Sequence, residues 1–230
     1  MLRKLGSYGA FLQALCFITL FVLYMAIYPA EGWQDSMMSD MNLTLGFALQ
    51  HVALLKLQYL IELGFGLGVG AVTLAMYRRF RGRNIDAALI ILATGIIGSA
   101  LFILAAGVGI AGVDPMVQLA GGQVTQAFIA FAQVHTGLEV AAIFATGWST
   151  FFIAFAAMQA KAWKNWLNAF GFIGGAASIL YLPLFFVNPT LAFMMFPLQI
   201  GSLVFSGAIG FALSGKAAQQ AFELDFAGAR

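Results

Sequence analysis

Apolar residues run along this chain in six long stretches separated by short polar connections. The stretches cover roughly 8–28, 52–77, 86–110, 132–159, 168–187 and 191–214, each near or above the ~20 residues that carry a helix across hydrocarbon. Only a helix or a closed barrel satisfies its own backbone in lipid, and none of these runs shows the two-residue alternation of a barrel strand. The pattern therefore predicts an all-α polytopic membrane protein with six transmembrane helices. No composition shift marks a soluble unit, so residues 1–230 read as a single integral membrane domain.

Composition strengthens that picture. The chain is 62% hydrophobic and 9% charged, against about 45–50% and about 25% in soluble domains. Its one cysteine, Cys16, lies in the first apolar run, which excludes an internal disulfide and a Cys-x-x-Cys metal site. Arg3 and Lys4 precede that run as in a signal peptide, but its length suits a span, and an uncleaved first helix is expected.

Charge then orients the spans. Arg3, Lys4, Arg78, Arg79, Arg81, Arg83, Lys161, Lys164, Lys216 and Arg230 all fall on one side of a six-span chain. The opposite connections carry Glu31, Asp35, Asp40 and Asp114 and no lysine or arginine. The positive-inside rule puts both termini in the cytoplasm, with a bacterial inner membrane as the expected setting. Trp163 and Trp166 on one side, and Tyr28 and Trp33 on the other, are expected in the interfacial aromatic belts. Lys56 breaks the pattern and is expected to snorkel outward.

Two stretches resemble each other: "NLTLGFALQHVALLKLQYLIELGFGLGVGAVTLAMYRR" and "GQVTQAFIAFAQVHTGLEVAAIFATGWSTFFIAFAAMQAK". With "NPTLAFMMFPLQIGSLVFSGAIGFALSGK" as a weaker third copy, the chain reads as three helical-hairpin repeats. His51 lies 27 residues before Arg78 (51 to 78) and His135 lies 26 before Lys161 (135 to 161). At ~1.5 Å per residue both stand ~40 Å from that end, beyond a ~30 Å core. Both histidines are thus expected at the outer boundary, at equal height. Glu62 is eleven residues after His51, about 20° off its face, and Glu139 is four after His135, on the same face. Gln58 extends the first stripe.

Three chemistries fit such a stripe. The groups are structural where they hydrogen-bond Gln58, Gln133, Gln199 or a tyrosine between helices. They form a metal site where His51, Glu62, His135 and Glu139 converge, a donor set suited to zinc, iron or copper. In that case Met37, Met38, Met41, Met194 and Met195 offer thioethers to Cu(I), and His51 with His135 would ligate a haem or chlorin. The third chemistry is ion or proton movement through Glu62, since an intramembrane carboxylate marks a pathway.

Other motifs carry less. "GFGLGVG" (64–70) follows no strand and reads as close helix packing, as do "FIGG" (172–175) and "SGAIG" (206–210). Lys216 has no aromatic cage for a retinal linkage. The tail, apolar at Ala218, Phe222 and Phe226, suits a membrane surface or a partner. No catalytic constellation is visible.

"LRKLGSYGAFLQ", "VHTGLEVAAIFATGW" and "WLNAFGFIGGAASILYL" resemble an uncharacterised bacterial family of six-span integral membrane proteins. That resemblance implies fold and topology, and transfers no site residues. The function expected from the sequence is a non-enzymatic membrane protein, an accessory or structural subunit of a larger membrane complex. Its expected partners are membrane lipid and other membrane subunits, with no nucleic acid. The alternative is a small carrier, or a metal-, haem- or pigment-binding protein, using the His/Glu cluster at the outer face.

Overall fold

The computed structural model describes residues 1–34, 40–118, 122–188, 191–192 and 194–215. Among them six helices are long and apolar enough to cross a membrane, and the protein is an all-helical polytopic membrane protein. The spans are α1 (Leu2–Ala30), α3 (Val52–Phe80), α4 (Ile85–Gln118), α5 (Gly122–Gln159), α6 (Asn165–Val187) and α7 (Phe196–Ser214), with a shorter α2 (Met41–Gln50) between α1 and α3. Met37, Met38, Asp35 and the tail with Lys216, Ala218, Phe222, Phe226 and Arg230 lie outside the described residues.

The spans follow one another around a closed ring. α1 packs on α3, α3 on α4, α4 on α5, α5 on α6, α6 on α7, and α7 returns to α1. An even number of spans lets every neighbouring pair, the closing one included, run antiparallel. One end of the ring carries Arg3, Arg78 to Arg83, Lys161 and Lys164; the other carries Glu31, Asp40 and Asp114. These are called below the basic and the acidic end.

The distribution of side chains suits lipid as solvent. Leu15, Ile18, Leu57, Leu60, Leu67, Ile97, Leu104, Leu180 and Phe211 stand exposed on the ring's outside. Ser7, Gln13, Gln58, Glu62, Thr73, Ser99, His135, Ser149, Ser178 and Gln199 are buried. With no hydrophobic drive between helices in a bilayer, association rests on close packing and interhelical hydrogen bonds. Both are visible. Gly9 and Gly68 face each other at the α1–α3 seam, where a Cβ on either would meet the other's carbonyl oxygen at 2.9 and 2.7 Å. Gly147 and Gly175 do the same between α5 and α6, each 2.9 Å from the other's oxygen. Ser99 Oγ donates to the Gly66 carbonyl (2.7 Å), joining α4 to α3.

Polar contacts close the ring. Ser7 Oγ donates to the Gly210 carbonyl at 2.9 Å, and the Arg3 guanidinium donates to the carbonyls of Leu213 (2.7 Å) and Gly215 (3.0 Å). Phe11 meets Phe211 edge to face at 5.0 Å. At the basic end Met76, Phe80, Ile91, Phe205, Ile209 and Leu213, nearly all fully buried, fill the ring axis as an apolar plug.

Two local breaks shape the acidic end. A π turn over Leu23–Ile27 interrupts α1. Pro29 follows it, and its ring cannot accommodate the carbonyl four residues earlier, so the ladder opens there. His51 ends α2 and starts α3 with a non-helical backbone (φ −119°, ψ 38°). α2 begins at Asp40, whose carboxylate caps it by accepting from the Asn42 and Leu43 amides. In the second sequence copy the corresponding stretch is one unbroken helix, α5.

Gly175→Val should force α5 and α6 apart at a backbone contact and destabilise by about 1–3 kcal/mol. Gly207→Val, where a Cβ meets nothing within 4 Å, should leave stability unchanged. Thermal unfolding of the two variants in detergent compares them directly.

Candidate functional site

Glu62 is the centre from which the site is built. Its side chain, on α3, is 2% exposed. A carboxyl group in such surroundings is costly unless each oxygen is hydrogen-bonded. Gln58, one turn earlier on α3, donates Nε2 to Glu62 Oε1 at 2.7 Å. His135 Nε2, on α5, lies 3.0 Å from Glu62 Oε2. The Tyr28 hydroxyl, on α1, donates to Gln58 Oε1. Tyr28, Gln58, Glu62 and His135 thus form one polar chain tying three helices together. The Tyr59 ring lies 4.9 Å from the His135 imidazole and Phe131 stacks on it at 6.3 Å, so aromatic faces hold the ring.

The structure separates the two histidines. His51 stands at the α2–α3 break, its ring 4.4 Å from Phe47 and its Nδ1 3.7 Å from Glu31 Oε2. His135 instead reaches Glu62, eleven residues further along α3. The expectation of equal height at the outer boundary is therefore corrected. Counting back from Lys161 assumes an upright helix, whereas α5 has 38 residues, ~57 Å at 1.5 Å per residue. A helix longer than the ~30 Å core must tilt or protrude, and its residues then lie deeper than the count implies. Among the described residues, no group of three or more His, Cys, Asp or Glu side chains is placed to hold a metal ion.

One other expectation shifts. Tyr28 is not an interfacial anchor: the π turn and Gln58 hold it buried in the ring, against Trp33 and Phe47. The Lys56 ammonium pairs with Asp114 on α4, so the lone cation of this end has a carboxylate partner.

Three cavities follow one another along the ring axis. A vestibule of about 270 Å³ lies at the acidic end under α2, walled by Tyr24, Tyr28, Phe47, Tyr59, Phe131 and His135, with Glu139 among its lining. A central cavity of about 120 Å³ shares Tyr24 and Glu139 with it. Every span lines this second space: Gln13 from α1, Glu62 from α3, Phe102 from α4, Glu139 from α5, Ser178 from α6 and Gln199 from α7. A third space of about 20 Å³, large enough for a single water, shares Gln13, Thr146, Thr150 and Ser206 with the second. It ends on Val72, Ile153, Phe205 and Ile209, which belong to the apolar plug.

Glu139 sits where vestibule and central cavity meet, and takes no hydrogen bond from a described residue. Gln13 Oε1 and Gln199 Nε2 are buried and have no hydrogen-bond partner among the described residues. Sequence reasoning did not reach Tyr24, Gln13, Thr146, Thr150, Ser202 or Ser206. A signal was available: Glu139, Thr146 and Thr150 continue the His135 face at seven and four residues, and Gln199, Ser202 and Ser206 repeat three- and four-residue spacing on the last span.

No protein-family model, curated protein or solved structure matches this chain.

Glu62→Leu should strand Gln58 Nε2 and His135 Nε2 in the ring interior, each at about 1–3 kcal/mol. Adding His135→Phe should recover part of the loss. A thermal-unfolding double-mutant cycle reads the coupling, and strictly additive effects would show that the pair is not coupled.

Proposed function

We propose that the protein is a small carrier, with the central cavity as its solute site, Glu139 as the ionisable group facing the solute, and the Glu62–His135 pair holding the helices around it. One observation carries this reading: a cavity on the axis, lined by all six spans with carboxyl, amide and hydroxyl groups among apolar side chains, adjoining a vestibule at one end and stopped by packed apolar side chains at the other. Access from one side at a time is what a carrier needs, and here the Met76, Phe80, Phe205 and Leu213 plug closes the basic end. Substrate sites of membrane carriers lie near mid-depth, and intramembrane ionisable residues mark solute and ion paths. The engagement of His135 with Glu62, and of His51 with Glu31, favours this over a haem held between the two histidines.

The basic end faces the cytoplasm and the vestibule faces outward, in a bacterial inner membrane. The charge asymmetry of the connections supports that orientation. An alkaline phosphatase reporter inserted at Asp40 should be active and one at Arg81 inactive; the reverse would invert the vestibule.

The carrier reading requires water in the cavity. In a Cys16→Ser background, Thr136→Cys in the vestibule and Ser202→Cys in the central cavity should react with uncharged 2-hydroxyethyl methanethiosulfonate. Ala154→Cys in the plug should not. A folded Ser202→Cys protein that stays unreactive would overturn the carrier. Stoichiometric co-purification of other membrane chains with such an unreactive protein would favour an accessory subunit instead.

A further inference from the structure

We propose that the central cavity binds a small organic cation bearing a hydroxyl group. The inference rests on the carrier reading of the same cavity and names its class of solute.

Charge comes first. Glu62 and Glu139 both line the central cavity, and among the described residues no lysine or arginine lines it, the vestibule or the third space. Their roles differ. Both Glu62 oxygens are occupied, by Gln58 and His135. Glu139 has no such partners among the described residues and lines both of the two larger spaces. The titratable neighbours whose electrostatic influence reaches it come from four helices: Tyr24 of α1, Glu62 and Tyr59 of α3, His135 of α5 and Tyr181 of α6. No fixed positive charge is among them. With His135 already engaged by Glu62, an ionised Glu139 is stabilised by a cation from outside the protein.

The walls say which kind. Phe17, Tyr24, Phe65 and Phe102 line the central cavity, and Tyr28, Trp33, Phe47 and Tyr59 line the vestibule beside it. Aromatic faces attract alkylammonium groups through the ring quadrupole, most strongly where water is excluded. A bare metal ion would instead require several oxygen ligands converging on one point, and no acidic group of three is assembled among the described residues. At about 120 Å³ the space is well below the ~300–1,000 Å³ of drug-sized pockets, so the cation is small.

The hydroxyl follows from two buried amides. Gln13 is 9% exposed and Gln199 6%. Both line this cavity, and among the described residues Gln13 Oε1 lacks a donor while Gln199 Nε2 lacks an acceptor. A hydroxyl group can serve either, donating to the first or accepting from the second. An ammonium by itself answers only Gln13.

Three probes of matched shape separate these features: choline, with charge and hydroxyl; tetramethylammonium, without the hydroxyl; and 3,3-dimethylbutan-1-ol, without the charge. Binding of radiolabelled choline to the purified protein in detergent, with the other two as competitors, should rank choline first. Each competitor should be about tenfold weaker or more. Glu139→Gln and Glu139→Asp, checked for unaltered unfolding temperature, should lose and weaken choline binding respectively. Equal competition by the neutral alcohol overturns the cation, and equal competition by tetramethylammonium overturns the hydroxyl. If choline does not bind although Ser202→Cys reacts with the thiol reagent, this inference falls and the carrier stands. If Ser202→Cys is unreactive as well, both fall.

Discussion

A carboxyl group two-thirds of the way up a hydrocarbon-spanning helix has to be hydrogen-bonded, and the arrangement of this protein follows from how Glu62 meets that demand. Its partners cannot all come from its own helix. Gln58 supplies one bond from α3, His135 supplies the other from α5, and Tyr28 completes the chain from α1. Three spans are thereby held at one level. The break that Pro29 makes in α1 falls beside the tyrosine that completes the chain.

Around that centre the ring is held by contacts that lipid cannot replace. Gly9 against Gly68 and Gly147 against Gly175 bring backbones together at two seams, and Ser7 and Ser99 add hydrogen bonds to carbonyls of neighbouring helices. A ring of six helices packed this closely at its seams still leaves space on its axis. At the basic end large side chains such as Phe80 and Phe205 fill it. Toward the acidic end serine, threonine and glutamine face inward instead, and the axis stays open enough for the central cavity.

The polarity of this axis gives the site its character. Glu62 is consumed in holding helices, whereas Glu139 is left facing open space. The same residue type thus takes two roles from nothing more than a different set of neighbours: amide and imidazole around one, aromatic rings and cavity beside the other. The α2 segment, capped by Asp40 and ending at His51, forms part of the vestibule's wall through Thr44, Leu45 and Phe47.

Class and span number were legible in the sequence, because lipid as solvent demands helices of a minimum apolar length whatever their neighbours. The candidate residues Glu62, His135 and Glu139 were legible too, since a polar group in such a run is conspicuous. Their grouping was not. His51 and His135 occupy similar places in two similar stretches, yet one chain breaks at His51 and the other runs straight through His135. Depth along a tilted or protruding helix cannot be counted from its end. Which polar faces meet on the axis depends on the order of helices around the ring and on their rotation. Those are set by glycine contacts and hydrogen bonds between residues as far apart as Ser7 and Gly210. Periodicity within one helix specifies a face; only packing among all six decides what that face sees.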